Sequence, residues 1–195
     1  MSRCLAELAS RPAAYPRTPV AGHGQVSPAE RPHGAVTVAT VLSDPRKLLE
    51  LVDRGDFDGA RELVTTAAVA DAWLAYQRDP DRRPARWDEE DHPLWWAVQW
   101  LYDEPDDKVR RELIELLADR AKDEFEMSNV GAGPLEAYLS ASGAPLEDRL
   151  EWVEECVARS TAFRTALANV YFDGLEEQWE RLDRAAGSRL PRPTI

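Results

Sequence analysis

Apolar residues recur at three- and four-residue steps from Ser43 onward, which is the spacing of amphipathic α-helices. A capping residue followed by Pro45 predicts the start of the first helix, and Gly55 predicts its end. A second apolar series over residues 57–76 predicts the other arm of a helical hairpin.

The same spacing predicts further helices, separated by serine, proline and glycine signals. The clearest patterns cover residues 93–102, 106–122, 145–159, 160–171 and 175–186. No credible strand alternates along the chain, and no period of roughly 30 to 45 residues is sustained. The pattern therefore predicts an all-α fold of six to seven helices, arranged as an irregular helical bundle or a short solenoid-like array.

The first forty residues have a different composition from the rest. Residues 1–40 contain five prolines and three glycines, and Tyr15 is their only aromatic residue. Such a segment buries too little apolar area to offset the entropy lost on ordering, which predicts a disordered leader. We therefore predict a single all-α domain over residues 43–186, followed by a flexible tail over residues 187–195.

The charge balance narrows the classes of partner. Among 195 residues, 24 Lys and Arg face 36 Asp and Glu, a formal net charge of −12. This balance makes nucleic acid an unfavourable partner, because phosphate binding requires clustered cations. No stretch reaches the roughly 18 apolar residues of a membrane span, and no secretory signal is recognisable. We expect no membrane association and a cytoplasmic location.

Cysteine usage supports a reducing compartment. Cys4 and Cys156 cannot build a disulfide framework or a four-cysteine zinc site. Cys156 lies on the apolar face of the helix predicted over residues 145–159, which favours a buried, unreactive thiol. We expect no metal and no cofactor.

An unusually apolar helix follows Pro93. Every residue from Leu94 to Tyr102 except Gln99 is apolar, and three of them are tryptophans. A helix of this kind is either enclosed by others or presents one face to a partner. Core packing is the favoured role, with a binding hot spot as the alternative. The candidate binding residues are Trp95, Trp96 and Trp100.

The Gly131-Ala132-Gly133-Pro134-Leu135-Glu136 string combines two flexible residues with a proline that suits the first turn of a helix. A tight turn between helices is the favoured interpretation, with Glu136 near the positive end of the helix dipole. The outward-facing N–H groups of Gly131 and Gly133 could instead hold an anion, or Glu136 could line a pocket as an acid, a base or a ligand contact. The P-loop lysine and a preceding strand are both missing, so no nucleotide motif is present.

His92 follows the acidic run of residues 88–91, which raises the question of a metal site. Neighbouring residues point in different directions, and no second His or Cys stands at ligand spacing. A solvated acidic linker ending at the start of a helix is therefore favoured. Glu136 and His92 are the catalytic candidates, although no nucleophile motif accompanies either residue.

Three segments of the chain resemble a family of small bacterial domains of unknown function. They are the His92-to-Val98 segment, the Gly131-to-Glu136 string and the Phe163-to-Leu167 segment. The resemblance covers roughly residues 73–183 and implies an all-helical bacterial domain. It implies no activity, ligand or catalytic residue.

Two functional hypotheses follow. The acidic surface favours a non-enzymatic interaction protein of the bacterial cytoplasm that binds or regulates another, basic protein. The alternative is a small-molecule-binding domain or an enzyme, with a pocket between the Trp95/Trp96 helix and the Gly131-to-Glu136 loop. A cavity that reaches Glu136 would favour the alternative, and a filled core beneath an acidic surface would favour protein recognition.

Overall fold

The fold is taken from a computed structural model, which describes residues 45–79, 92–141 and 145–192. These residues contain helices and no β-strand, which confirms the predicted all-α class. The helices are α1 (Pro45–Asp53), α2 (Phe57–Arg61), α3 (Thr66–Arg78), α4 (Trp95–Asp103), α5 (Asp107–Arg120), α6 (Glu124–Val130), a π-helical turn (Gly131–Leu135), α7 (Glu136–Ser140), α8 (Leu146–Arg159), α9 (Thr161–Leu167) and α10 (Glu176–Ala186).

This part of the chain holds more helices than the six to seven predicted. One predicted arm is divided into two helices, and α6 was not predicted. The arm predicted over residues 57–76 breaks into α2 and α3. The Thr65 hydroxyl accepts the N–H of Ala68 at 3.2 Å and starts a new helix there. A polar N-cap competes with continuation of the preceding helix, so the apolar period alone does not reveal the break.

Several predicted helix ends are confirmed. Pro45 occupies the first position of α1, and Gly55 follows its end with a φ of 72°. Asp106 caps α5 by accepting the N–H groups of Lys108 and Val109, and Ser160 caps α9. Asp106 and Ser160 thus accept N–H groups that have no partner within their helices.

Helices α3 and α9 hold the bundle together. Helix α3 packs against α4, α5 and α6, while α9 contacts α5, α6, the π-helical turn, α8 and α10. In a solenoid each repeat contacts only its neighbours along the chain. The contacts of α9 with elements distant in sequence therefore make this fold an irregular bundle.

The apolar helix α4 is enclosed. It lies against α1 and α3, and these neighbours leave 3% of Trp96 and 1% of Trp100 exposed. Phe57 meets the Trp100 ring edge-on, with 5.8 Å between the ring centroids. Trp96 and Trp100 are thus core residues, and the hot-spot interpretation does not hold for them. A large indole gains most by full burial, which α1 and α3 provide together.

The Gly131-to-Glu136 string is also corrected by the structure. It forms a π-helical turn inside one continuous helix over residues 124–140, not a tight turn between helices. The N–H of Glu136 donates to the carbonyl of Gly131, five residues earlier. In a regular α-helix the Pro134 ring would collide with the carbonyl four residues before it, and a wider turn relieves that contact.

The π-helical turn removes the basis for an anion site. The N–H of Gly131 donates to the carbonyls of Met127 and Ser128, so it belongs to the helix. Gly131 itself is buried, and Gly133 is partly buried. The prediction of outward-facing N–H groups is therefore wrong for Gly131, because the chain does not leave the helix there.

Gly131 is the point of closest approach between two helices. A Cβ atom at residue 131 would lie 2.1 Å from the carbonyl oxygen of Ala166 in α9 and 2.9 Å from the Cβ of Asn169. No side chain fits such a distance to a backbone atom, so glycine allows the helix over residues 124–140 to pack directly on the end of α9.

Tyr138 fixes the other end of the same helix. Its buried hydroxyl donates to Asp107 at 2.9 Å and accepts from Arg111 at 2.8 Å, both in α5. The Arg149 guanidinium of α8 donates to the Tyr138 and Leu139 carbonyls at 2.8 and 2.9 Å. These bonds satisfy the last carbonyls of α7 and hold it against α5 and α8.

The structure describes part of the predicted C-terminal tail and none of the predicted N-terminal leader. The leader predicted over residues 1–40 lies outside the described residues. Within the predicted tail, residues 187–192 fold back onto α10. Leu190 is 2% exposed, and the Arg192 guanidinium lies 4.3 Å from the centroid of the Trp179 ring and 2.8 Å from Asp183. The packed region therefore extends beyond residue 186.

Replacing Gly131 with alanine should destabilise the protein by about 3 kcal/mol, because a Cβ atom would force the backbone of α9 away. The free energy of unfolding in urea measures this loss. Gly133→Ala is the matched control, since its Cβ would meet the movable Tyr102 hydroxyl at 3.2 Å. Equal losses in the two variants would contradict the close-contact explanation.

An ion pair between exposed Arg78 of α3 and buried Glu126 of α6 gives a second prediction. Arg78 binds both carboxylate oxygens of buried Glu126, and this hydrogen bonding holds the pKa of Glu126 below its usual value. At pH 7, Glu126→Gln should therefore cost about 2 to 3 kcal/mol in the free energy of unfolding. A depressed pKa stabilises the fold above the unfolded-state value of 4.5, so the difference should shrink as the pH falls below it.

Exposed Glu124, in the same helix, supplies the control for this ion pair. Glu124→Gln should change the free energy of unfolding by less than about 0.5 kcal/mol, both at pH 7 and below pH 4.5. A loss at Glu126 that is independent of pH would show that packing, and not the charge, accounts for the effect.

Candidate functional site

Glu136 is a partly buried carboxylate that no described cation neutralises. It opens α7, and its Oε2 accepts the main-chain N–H of Tyr171 at 2.8 Å. Its Oε1 forms no hydrogen bond with any described residue. Burial raises the pKa of Glu136 to about 7, although the Tyr171 N–H lowers it. Burial without a counter-charge favours the neutral form of a carboxyl group, so Glu136 exchanges its proton near neutral pH.

Tyr102 of α4 lies against Gly133, three residues before Glu136. A Cβ atom at Gly133 would stand 3.2 Å from the Tyr102 hydroxyl oxygen and 3.9 Å from the Trp73 ring. Tyr102 is 38% exposed, yet burial of its hydroxyl end and the charge of Glu136 raise its pKa to about 12. The phenol therefore keeps its proton, and its oxygen forms no hydrogen bond with a described residue.

We name as the Glu136 site the group formed by Glu136, Tyr102, Gly133 and the main-chain N–H of Tyr171. The predicted pocket between the Trp95/Trp96 helix and the Gly131-to-Glu136 string stays a prediction, but the structure does show a contact between these two segments. It occurs through Tyr102, at the C-terminal end of α4, and not through Trp95 or Trp96. Tyr102 was not predicted as a site residue, because the three tryptophans of the same helix are its most prominent sequence feature. One signal was available, since Tyr102 is the last aromatic residue of an otherwise enclosed helix.

Trp95 and His92 lie elsewhere, at the junction of α3 and α4. The Trp95 ring is partly buried, 6.1 Å from the Tyr76 ring, and His92 meets the same ring edge-on at 4.8 Å. The Nδ1 of His92 accepts the Leu94 N–H at 3.0 Å, and its Nε2 lies 3.1 Å from Asp79. With Nδ1 occupied as an acceptor, Nε2 carries the proton and donates to Asp79. His92 therefore connects two helices and supplies no base to Glu136.

Two surface pockets lie away from the Glu136 site. One, of about 300 Å³, lies between α8 and α10 beside Glu154 and Arg181. The other, of about 260 Å³, lies between α5, α8 and α9 and is lined by Glu115, Arg159 and Cys156, among others. Both fall at or below the lower end of the range for ligand sites, about 300 Å³.

Cys156 lines the second pocket but is not activated. The thiol is 1% exposed, which confirms the predicted burial. Burial, followed by the charge of Glu115, raises its pKa to about 12. A thiolate is the reactive form of cysteine, so this residue is not a nucleophile at neutral pH. Arg159 pairs with Glu115 at 2.6 Å and donates to the sulfur at 3.2 Å.

Five exposed acidic residues without a described ion pair lie on α8 and α5. Asp148, Glu151 and Glu155 lie at the spacing of one helical face, and all three are exposed. None of them forms an ion pair with a described residue, whereas Glu147 and Glu154 of the same helix both bind Arg181. The exposed acids of α5, Glu112 and Asp119, also lack such a pair. We name Glu112, Asp119, Asp148, Glu151 and Glu155 the α5–α8 acidic surface.

The two helices of this surface are joined by direct contacts. Glu115 of α5 accepts the indole N–H of Trp152 at 3.1 Å, and the Arg111 guanidinium lies 5.6 Å from the centroid of the same ring. Arg159 is near Glu155, but its ion pair is with Glu115. The α5–α8 acidic surface is exposed, and its five carboxylates form no ion pair with a described residue.

Across residues 45–79, 92–141 and 145–192, no group of three His, Cys, Asp or Glu side chains is arranged to hold a metal ion. None of the described helices is long and apolar enough to cross a membrane. The acidic run at residues 88–91 lies outside these ranges.

The raised pKa of Glu136 predicts a pH-dependent stability. The fold favours the neutral carboxyl, so its contribution is complete below about 4.5 and is lost as the pH rises through about 7. Relative to Glu136→Gln, the wild-type protein should lose on the order of 1 to 2 kcal/mol of unfolding free energy between pH 5 and pH 8. Urea denaturation at both pH values measures this difference. Glu177→Gln, at an exposed acid, should show no such trend, and a flat difference for Glu136→Gln would contradict the burial of an unpaired charge.

Comparison with curated proteins and with solved structures found no match. A family model described as a family of unknown function, DUF6869, matches residues 85–189. The matched range includes α4 to α10 and all parts of the Glu136 site and the α5–α8 acidic surface, while α1 to α3 precede it. Because the match covers more than half of the 195 residues, the chain belongs to the DUF6869 family of unknown function.

Proposed function

We propose that this protein is a non-enzymatic interaction module that binds or regulates a basic protein through the α5–α8 acidic surface. The observation that supports the proposal most is the row formed by Asp148, Glu151 and Glu155, which have no ion-pair partner among the described residues. The proposal places this interaction in the bacterial cytoplasm, in keeping with the absence of a disulfide framework from the sequence.

Electrostatics favour recognition over stability as the role of this row. Glu151 and Glu155 lie one turn apart and repel each other, so these two charges do not stabilise α8. The field of such a face attracts a basic partner and accelerates its encounter, particularly at low ionic strength. The other acids of α8 are paired with Arg181, which leaves this face as the free source of negative charge on the helix.

The packed core beneath this surface points in the same direction. Trp152 and Val153 of α8 are buried, and Leu113 and Leu117 of α5 are fully enclosed. A rigid pair of helices presents its charges in a fixed arrangement, which lowers the entropic cost of binding. A filled core beneath exposed carboxylates is the arrangement expected of protein recognition.

Neutralising the row should weaken partner binding. In affinity purification from native cells, the triple variant Asp148→Asn, Glu151→Gln, Glu155→Gln should retain less of a basic protein that the wild-type chain captures. With that protein purified, calorimetry should show a dissociation constant about tenfold larger for the variant. The difference should shrink at 0.5 M salt, because ions screen exposed charges.

A matched triple variant separates local recognition from net charge. Asp173→Asn, Glu177→Gln, Glu180→Gln removes the same charge from exposed acids that also lack described ion pairs. This control should bind like the wild-type protein. Equal weakening by both variants would contradict the assignment of binding to α5 and α8, as would capture of an acidic partner only.

The Glu136 site supports a second candidate function, the binding or turnover of a small molecule. The observation that favours it is the partly buried carboxylate with a pKa of about 7, which can accept or release a proton at neutral pH. Tyr102 supplies an adjacent hydroxyl, and the Trp73 ring supplies an apolar contact beside Gly133. Loss of a measured ligand or activity on Glu136→Gln, with unchanged partner capture, would identify this function.

A further inference from the structure

We infer that the Glu136 site binds an alkylammonium group, with Glu136 and Tyr102 as its two oxygen acceptors. The inference rests on the second candidate function and names the chemical class of its ligand. It is independent of the α5–α8 acidic surface.

Two oxygen atoms of the Glu136 site accept no hydrogen bond from a described residue. Glu136 Oε2 is occupied by the Tyr171 N–H, while Oε1 and the Tyr102 hydroxyl oxygen have no hydrogen bond to a described residue. Both oxygens belong to the same site, since Tyr102 lies against Gly133 and experiences the charge of Glu136. A ligand that matches this site brings several N–H donors on one atom.

Charge selects an ammonium group among such donors. Partial burial makes the ionised form of Glu136 costly, and no described Lys or Arg lies close enough to offset that cost. A bound cation would offset it directly, which neither a neutral amide nor an anion can do. Tyr102 remains protonated at neutral pH, so it adds an acceptor oxygen and an aromatic face without adding charge.

The groups that face Glu136 set the pH dependence. They are the Tyr102 phenol from α4 and the Tyr171 N–H from the segment after α9, and Tyr76 of α3 acts on Tyr102. The Tyr102 phenol has a pKa of about 12 and the Tyr171 main-chain amide does not ionise, whereas the pKa of Glu136 is about 7. A small ammonium ion keeps its charge throughout this range, so protonation of Glu136 should weaken its binding about tenfold between pH 8 and pH 6.

The Tyr171 amide is the reporter for the test, because it donates to Glu136. In ¹H–¹⁵N spectra of the full chain, n-butylammonium at pH 8 should shift this resonance saturably, with a dissociation constant of roughly 1 to 10 mM. The affinity should fall about tenfold at pH 6, and Tyr102→Phe should weaken it several-fold while keeping the pH dependence. Glu136→Gln should abolish the response.

Three controls make the test decisive. Butanol has the same alkyl chain without charge, acetate carries the opposite charge, and Glu177→Gln removes an exposed acid elsewhere. A response to butanol equal to that of butylammonium, or an unaltered response in Glu136→Gln, would overturn the inference. A response to acetate or butanol alone that depends on Glu136 would retain a small-molecule site and still reject the ammonium ligand.

The ammonium group could come from a free amine or from a lysine side chain of a polypeptide. A capped Gly-Gly-Lys-Gly-Gly peptide distinguishes the two sources. Binding of the peptide more tightly than butylammonium indicates a lysine side chain, and the reverse order indicates a free amine. If neither probe shifts the Tyr171 amide at pH 8, the inference is wrong.

Discussion

The contact between Gly131 and the carbonyl of Ala166 is the constraint on which the rest of the central bundle depends. Only a residue without a side chain permits this approach, since a Cβ atom would lie 2.1 Å from the oxygen. The contact sets the helix over residues 124–140 directly on the end of α9. Because α9 also packs against α5, α8 and α10, the position of this helix fixes much of the bundle.

The Glu136 site follows from the same contact. Pro134 widens the helix just after Gly131, and α7 begins at Glu136, where the chain after α9 passes close enough for the Tyr171 N–H to bind its carboxylate. One hydrogen bond offsets only part of the cost of burying the charge, and the pKa of about 7 expresses the remainder. The fold thus maintains a carboxyl group at an unfavourable location, a feature that is more common at functional sites than elsewhere.

The sequence predicted the helices well wherever apolar period and capping residue agreed. Pro45, Asp106 and Ser160 all start helices at or beside the expected positions. The string from Gly131 to Glu136 was predicted to be a turn because glycine and proline usually break a helix. Here the helix continues through both, since the π-helical turn accommodates Pro134. Close backbone contact between segments 35 residues apart leaves no local pattern that sequence reasoning could detect.

The contacts in the Glu136 site and on the α5–α8 acidic surface could not be predicted from the sequence for the same reason. Asp148, Glu151 and Glu155 could be placed on one helical face from their spacing, but their lack of ion pairs depends on where Arg181 and Arg159 lie in the fold. Glu136 was identified as a candidate, while Tyr102 and the Tyr171 N–H were not, because each comes from a different part of the chain. The sequence therefore indicated which side chains could carry a charge or a proton. It did not indicate which residues from other helices would contact them.

The central claim is that the packing at Gly131 holds Glu136 as an unpaired, partly buried carboxyl group. Titration of the Glu136 side-chain ¹³C carboxyl resonance in the full chain tests it most directly. The account predicts a midpoint near pH 7 in the wild-type protein and a displacement toward the ordinary value of 4.5 in Gly131→Ala. A wild-type midpoint near 4.5, or an equal midpoint near 7 in a folded Gly131→Ala variant, would contradict it.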